Sequence, residues 1–231
     1  MGTTTVRRAA AAWLVVAGAS LGLTGCADEG PTATRSPQEA TTSVPSEPST
    51  DDVDPLLDTA ARARDALRDE DYAALADLAS PDEGVVFEPY SYVDDESFRL
   101  SAQEIRQLGT SGTVHTWGYY DGSGAPMELD VADYRARFVW DRDYDDAPSV
   151  AVDGYLVSGN SLQNLAEYFG PTARWVEYSF PATEVTEDVD PETWNYDHGP
   201  PGADWSALRL VFRPAGADYQ LIGVVHDGWT I

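Results

Sequence analysis

From residue 53 onward, apolar positions recur with a period that changes along the chain. In "VDPLLDTAARARDALRDED", Leu56, Leu57, Ala60, Ala63, Ala66 and Leu67 fall on one helical face, with Asp54 as N-cap and Pro55 at the first helical position. "DYAALADLAS" predicts a second short helix stopped by Ser80-Pro81, and "GVVFEPYSYV" a strand broken by Pro89. "SAQEIRQLG" opens on a capping box, Ser101 with Glu104, and closes at Gly109. "TVHTWGYY" reads as a strand entering the turn "DGSG", and "DVADYRARFVW" as a short helix capped by Asp130. "SVAVDGYLVS" predicts a strand, "NSLQNLAEYFG" a helix capped by Asn160 or Ser161, and "ARWVEYSF" alternates as a strand. Two long strands around Pro-Ala-Gly, "WSALRLVFRPAGADYQLIGVVHDGWTI", form the terminal hairpin.

Helices first and strands last predict an α+β domain over 53–231, with N-terminal helices packed on a curved antiparallel sheet. "LRDEDYAALADLASPDEGVVF", followed by a terminal hairpin, resembles the opening and close of the ketosteroid-isomerase-like cone fold of the nuclear transport factor 2 superfamily. That resemblance implies a cone-like sheet enclosing a pocket, with the stretch from about 115 to 205 as an insertion.

The patterning upstream differs. "MGTTTVRR" carries two arginines and no acid, and "AAAAWLVVAGASLG" is too short to span a bilayer, which takes ~20 apolar residues. This order is that of a secretory signal over residues 1–25. "LTGC" resembles the bacterial lipoprotein lipobox, which implies that Cys26 becomes the first mature residue and carries acyl chains such as palmitate. Two or more chains anchor a protein stably at a membrane. Residues 26–52 then hold almost no large apolar side chain and are rich in Pro, Ser, Thr and acids, the composition of a disordered linker. The domain is expected on the extracytoplasmic face of the cell membrane, lipid-anchored. Cys26 is the only cysteine, which excludes an intrachain disulfide, a cysteine nucleophile and a cysteine zinc site. "GVVFEPYSYVD", "TWGYYDGSGAPMEL", "SGNSLQN", "WVEYSFPATE", "DWSALRLVF" and "GVVHDGWTI" together resemble an uncharacterised family of Gram-positive (actinobacterial-type) surface lipoproteins, which implies the same location and no particular activity.

Charge narrows the partners. Against 40 acids stand 14 bases, all arginine; residues 1–25 take away two arginines and no acid, so the formal charge moves from −26 to −28. Such a field opposes contact with nucleic acid. It fits a salty habitat or a high-GC genome more readily than a dedicated cationic partner.

Candidate chemistry is sparse. His115, His198 and His226 are the natural proton carriers, and His226 sits near the end of the last strand. Its neighbour Asp227 makes no dyad with it, because successive strand side chains face opposite ways. Asp141, Asp143 and Asp145 have calcium-loop spacing, but Asp146 stands where that loop needs Gly and Val152 where it needs Glu, so no metal and no cofactor are expected. Tyr90, Tyr92, Trp117, Tyr119, Tyr120 and Trp229 supply large rings with polar handles, suited either to a core or to a binding face. By alternation Trp117 and Tyr119 share a face. Three functions follow: a recognition module binding an envelope ligand or protein through Tyr90, Trp117, Tyr119 and Trp229; a cone-fold enzyme moving a proton with His226, Tyr90 or Tyr119, and Asp94; or a structural or inhibitory partner working through the acidic loop 181–204. A closed apolar pocket receiving His226 and a carboxylate would favour the enzyme.

Overall fold

A computed structural model describes residues 50–157, 162–183 and 202–229. Helix α1 (Thr50–Arg68) begins four residues before the expected Asp54 cap. Its inward face is the predicted one: Leu56, Ala60, Ala63, Ala66 and Leu67 are buried. Helix α2 (Tyr72–Leu78) is capped by Asp71, whose carboxylate accepts from the Ala74 amide. Strands β1 (Val85–Glu88) and β2 (Phe98–Leu100) follow.

The Ser101–Glu104 capping box of α3 (Ala102–Ser111) is present in both directions. The helix runs past Gly109 and stops at Gly112, which takes the left-handed φ of 52° that a side chain resists. Gly109 serves packing instead: a Cβ there would lie 2.9 Å from the Tyr72 ring.

Strands β3 (His115–Tyr119) and β4 (Pro126–Leu129) form a separate two-stranded sheet. Helix α4 (Val131–Phe138) is capped by Asp130 as expected. A 3-10 turn (Tyr144–Asp146) precedes β5 (Ser149–Val152). Strand β5 is shorter than its apolar run because Asp153 turns the chain at φ 53°, held by Arg174 and the Trp175 amide. Helix α5 (Leu165–Tyr168) is one turn long. The expected caps Asn160 and Ser161 lie outside the described residues, and Asn164 cannot cap, since its amide is spent on both backbone groups of Val93. Strands β6 (Arg174–Phe180), β7 (Ser206–Ala215) and β8 (Asp218–Gly228) complete the chain.

The main sheet has six strands in the order β2-β1-β8-β7-β6-β5. It is antiparallel except at one seam: β1 runs parallel to β8, which corrects the all-antiparallel expectation. The seam joins the first strand to the last, so no tight turn dictates its direction. Of the stretch 115–205, β5 and β6 belong to this sheet, while β3 and β4 form the separate hairpin. A register shift at Val211/Phe212 interrupts the β7–β8 ladder, the kind of bulge that bends a hairpin.

Both faces of the sheet are covered. On one, Leu208, Leu210, Phe212 and Val224 meet α1, α2 and the β3–β4 hairpin. On the other, Val86, Val211, Ile222 and Val225 meet Leu165, Phe169 and Trp175. The described residues all belong to one compact unit, Ser46–Ile231. Among them, no helix is long and apolar enough to cross a membrane.

Candidate functional site

The aromatic residues divide sharply. Trp117 is fully buried: its ring stacks on Tyr134 at 3.8 Å and 7°, Phe87 and Phe98 meet its edges, and its Nε1 donates to the Leu129 carbonyl over 3.0 Å. It is a core residue, which corrects its assignment to a binding face. Tyr119, two positions on, is 55% exposed. Alternation fails between them because the β3–β4 register slips between Thr116 and Tyr119, with Gly118 at φ 147° in the slip.

That slip turns Tyr119 toward a second tyrosine-bearing segment. Pro89 ends β1, and the chain leaves the sheet through Tyr90, Ser91 and Tyr92. The Asp121 amide donates to the Tyr90 hydroxyl over 3.2 Å, fixing the hairpin turn against this segment. The Ser91 hydroxyl donates to the Leu162 carbonyl, closing a third side. The result is a cleft of about 480 Å³ lined by Glu88, Tyr90, Tyr92, Tyr119, Tyr120 and Asp121, with Leu162 at its edge. This volume lies within the ~300–1,000 Å³ usual for small-molecule sites. Tyr92 and Leu162 are 50% and 72% exposed, so the rim is a half-open apolar surface.

Glu88 is the buried polar group of this cleft. Its carboxylate accepts from the Ser97 hydroxyl and, over 3.3 Å, from the Tyr90 amide. Burial nevertheless dominates and pushes the carboxyl up to about 7.

His226 occupies a different cleft, of about 860 Å³, with Tyr90, Phe138, Asp141, Trp205, Ser206 and Trp229 among its lining. Its Nδ1 lies 3.0 Å from the Pro89 carbonyl, which can only accept, so Nδ1 carries the proton. Its Nε2 lies 3.4 Å from Asp141 and 3.5 Å from the Ser206 hydroxyl. Asp141 also accepts from the Tyr144 hydroxyl at 2.7 Å and from Ser206 at 2.8 Å. Burial alone would raise the Asp141 carboxyl; His226, Tyr144 and Ser206 outweigh it and hold it near about 2. Ser206 gives its proton to Asp141 rather than to the imidazole, so this is no nucleophile–base pair. It is a polar clasp joining β7, β8, the β1 exit and the segment after α4.

The predicted proton-transfer set is only partly assembled. His226 and Tyr90 line one cleft; Tyr119 lines the other. Asp94 lines a third, beside Arg99 and Arg213, and forms a turn with Glu96 and Ser97. The carboxylate that reaches His226 is Asp141. Trp229 does line the His226 cleft. His115, the first residue of β3, packs on Phe98 and Trp117 and lines a different cleft from His226. Cys26, His198 and most of the acidic loop 181–204 lie outside the described residues.

The aspartates with calcium-loop spacing diverge: Asp141 faces His226, Asp143 caps the 3-10 turn, and Asp145 pairs with Arg64 and Arg68. Among the described residues, no cluster of three or more potential metal ligands occurs. Asp227 turns to the opposite face from His226 and binds Arg209.

No family model matches the chain, and no curated protein matches it. Among solved structures, the chain is similar to a calcium/calmodulin dependent protein kinase II association domain from Xanthomonas campestris, at 14% identity over 80% of this chain and 91% of that one, with a TM-score of 0.30.

Proposed function

We propose that this chain is a recognition module tethered at the extracytoplasmic face of the cell membrane through lipid on Cys26. The segment between Cys26 and the start of α1 serves as the linker, and the domain receives an envelope ligand in the tyrosine-lined cleft. The observation that carries the ligand site is the half-exposure of Tyr92 and Tyr119 around a cleft floored by the buried Glu88. Isolated exposed apolar residues are ordinary on a protein surface; three on one cleft rim are the pattern of a contact site. N-terminal helices covering a bent, largely antiparallel sheet support a cone-type architecture for the domain.

Two experiments test the reading. Cys26→Ala should release the full chain from membranes of a Gram-positive host, and unchanged retention would overturn the anchor. The lipidated chain in detergent, screened by ligand-observed NMR against sugars, amino acids, short peptides and amines, should bind at least one class. Tyr92→Ala with Tyr119→Ala should abolish that response. A response indifferent to both tyrosines would place the site elsewhere.

A second reading rests on the His226 cleft, where an imidazole, a carboxylate and the Tyr90 ring line a space large enough for a small molecule. Proton transfer there requires a substrate to displace Asp141 from Nε2. Line broadening of the His226 ring resonances by a bound candidate substrate would support it; a ring unaffected by every member of the panel would sink it.

A further inference from the structure

We propose that the tyrosine-lined cleft binds a small organic cation, an alkylammonium group, held by the phenol faces with Glu88 and Asp121 as its counter-charges. The inference rests on the reading of this cleft as the ligand site and adds the class of ligand.

The lining is selective in sign. Among the described residues, Glu88, Asp121 and four tyrosines line the cleft, and no arginine or histidine does. Elsewhere among the described residues, four rings carry one of the chain's own cations: Arg64 lies over Tyr178, Arg135 over Trp140, Arg142 over Phe180 and Arg209 over Tyr155. Among the described residues, none of the four cleft tyrosines carries such a guanidinium. Tyr90 makes one edge contact, with Phe138, while the rings of Tyr92, Tyr119 and Tyr120 make no ring contact there. The half-exposed rings of Tyr92 and Tyr119, set beside carboxylates, can attract a cation electrostatically while covering the apolar surface of its alkyl groups. Tyr90 and Tyr120 back them against the core. A chain of net charge −26 adds a field that draws cations and repels anions. An anionic ligand would meet the Glu88 and Asp121 carboxylates as like charges, whereas a cation compensates them.

Ionisation of Glu88 should strengthen the site. The groups facing Glu88 are the Tyr90 and Tyr134 phenols, the Ser97 hydroxyl and the Asp94 carboxylate. Both phenols are held above their ordinary range, so neither titrates near neutrality. Affinity for a cation should therefore climb as pH rises through about 7.

The test is calorimetric titration of the lipidated full chain with choline and with its neutral tert-butyl isostere. Choline should bind and the isostere should bind at least roughly tenfold more weakly. Tyr119→Ala and Tyr92→Ala, both at half-exposed positions that leave the core intact, should each weaken choline several-fold. Glu88→Gln should weaken it roughly tenfold and remove the rise with pH. Equal binding of choline and the isostere would overturn the cation while leaving the cleft a ligand site. Absence of choline binding at millimolar concentration, with a sugar or peptide bound at the same tyrosines, would do likewise. Choline binding unaffected by all three substitutions would overturn the assignment to this cleft.

Discussion

Arg209 stands directly opposite Glu177 in the β6–β7 ladder, and its Nε donates to Glu177 Oε2 over 2.7 Å with neither side chain exposed. A second guanidinium nitrogen reaches Asp227 at 2.8 Å and a third the Val157 carbonyl at 2.8 Å. Glu177 in turn accepts from the Leu156 and Val157 amides. One arginine and two carboxylates thus pin the segment after β5 onto the sheet face opposite α1 and α2. The Tyr155 ring lies across the guanidinium at 5.0 Å.

Replacing Arg209 leaves two buried carboxylates without a counter-ion. Arg209→Met should cost about 3–5 kcal/mol of unfolding free energy in urea melts at neutral pH. A loss below about 1 kcal/mol would contradict the pairing.

Trp117 and Tyr119 should respond oppositely despite lying two residues apart. Trp117→Ala removes a fully buried ring from a stack with Tyr134 and should cost about 3–5 kcal/mol. Tyr119→Ala should change stability by no more than about 0.5 kcal/mol while altering ligand response. Equal costs in denaturant melts would mean that the bulge at Gly118 does not separate their environments.

That pair also marks how far the sequence could be read. Local signals were legible because they need only neighbours: the Ser101–Glu104 box, the Asp130 cap and the terminal hairpin all have their determinants within a few residues. Long-range facts were not. The parallel β1–β8 seam joins chain ends that share no turn, and the three-residue β2 is too short to show a period. The density of tyrosine at 90–92 and 119–120 pointed to the cleft, but period-2 alternation placed Trp117 on it because a one-residue slip is invisible in the pattern. Glu88 is one acid among 40, and its available signal is a carboxylate ending an apolar strand before proline. Arg209 was signalled in the same way, by a charge in the middle of "SALRLVF".

Asp141 should govern the acid limb of stability. Its folded carboxyl lies near about 2, below the ordinary 3.8, so its contribution is present above the higher value and lost as pH falls through the lower. Asp141→Asn should cost about 2 kcal/mol at neutral pH, a deficit that fades as the wild type is acidified toward pH 2. A deficit constant across that window would show that Asp141 acts by shape rather than by charge.

Glu88 should produce the opposite pH dependence. Its folded carboxyl is raised to about 7 from the ordinary 4.5, so its contribution is fully present below 4.5 and lost as pH rises through 7. The wild type should lose about 3 kcal/mol of stability between these limits, and Glu88→Gln should flatten that loss. At about pH 8 the variant should equal or exceed the wild type, although glutamine accepts more weakly from Ser97 and the Tyr90 amide. Tetramethylammonium chloride should recover part of the wild-type loss relative to sodium chloride of equal ionic strength, because a bound cation favours the ionised carboxylate. The same salt should do nothing for Glu88→Gln. Parallel pH profiles of wild type and variant in thermal melts would refute the role of burial at Glu88. Equal effects of the two salts on the wild type would refute the cation as its partner.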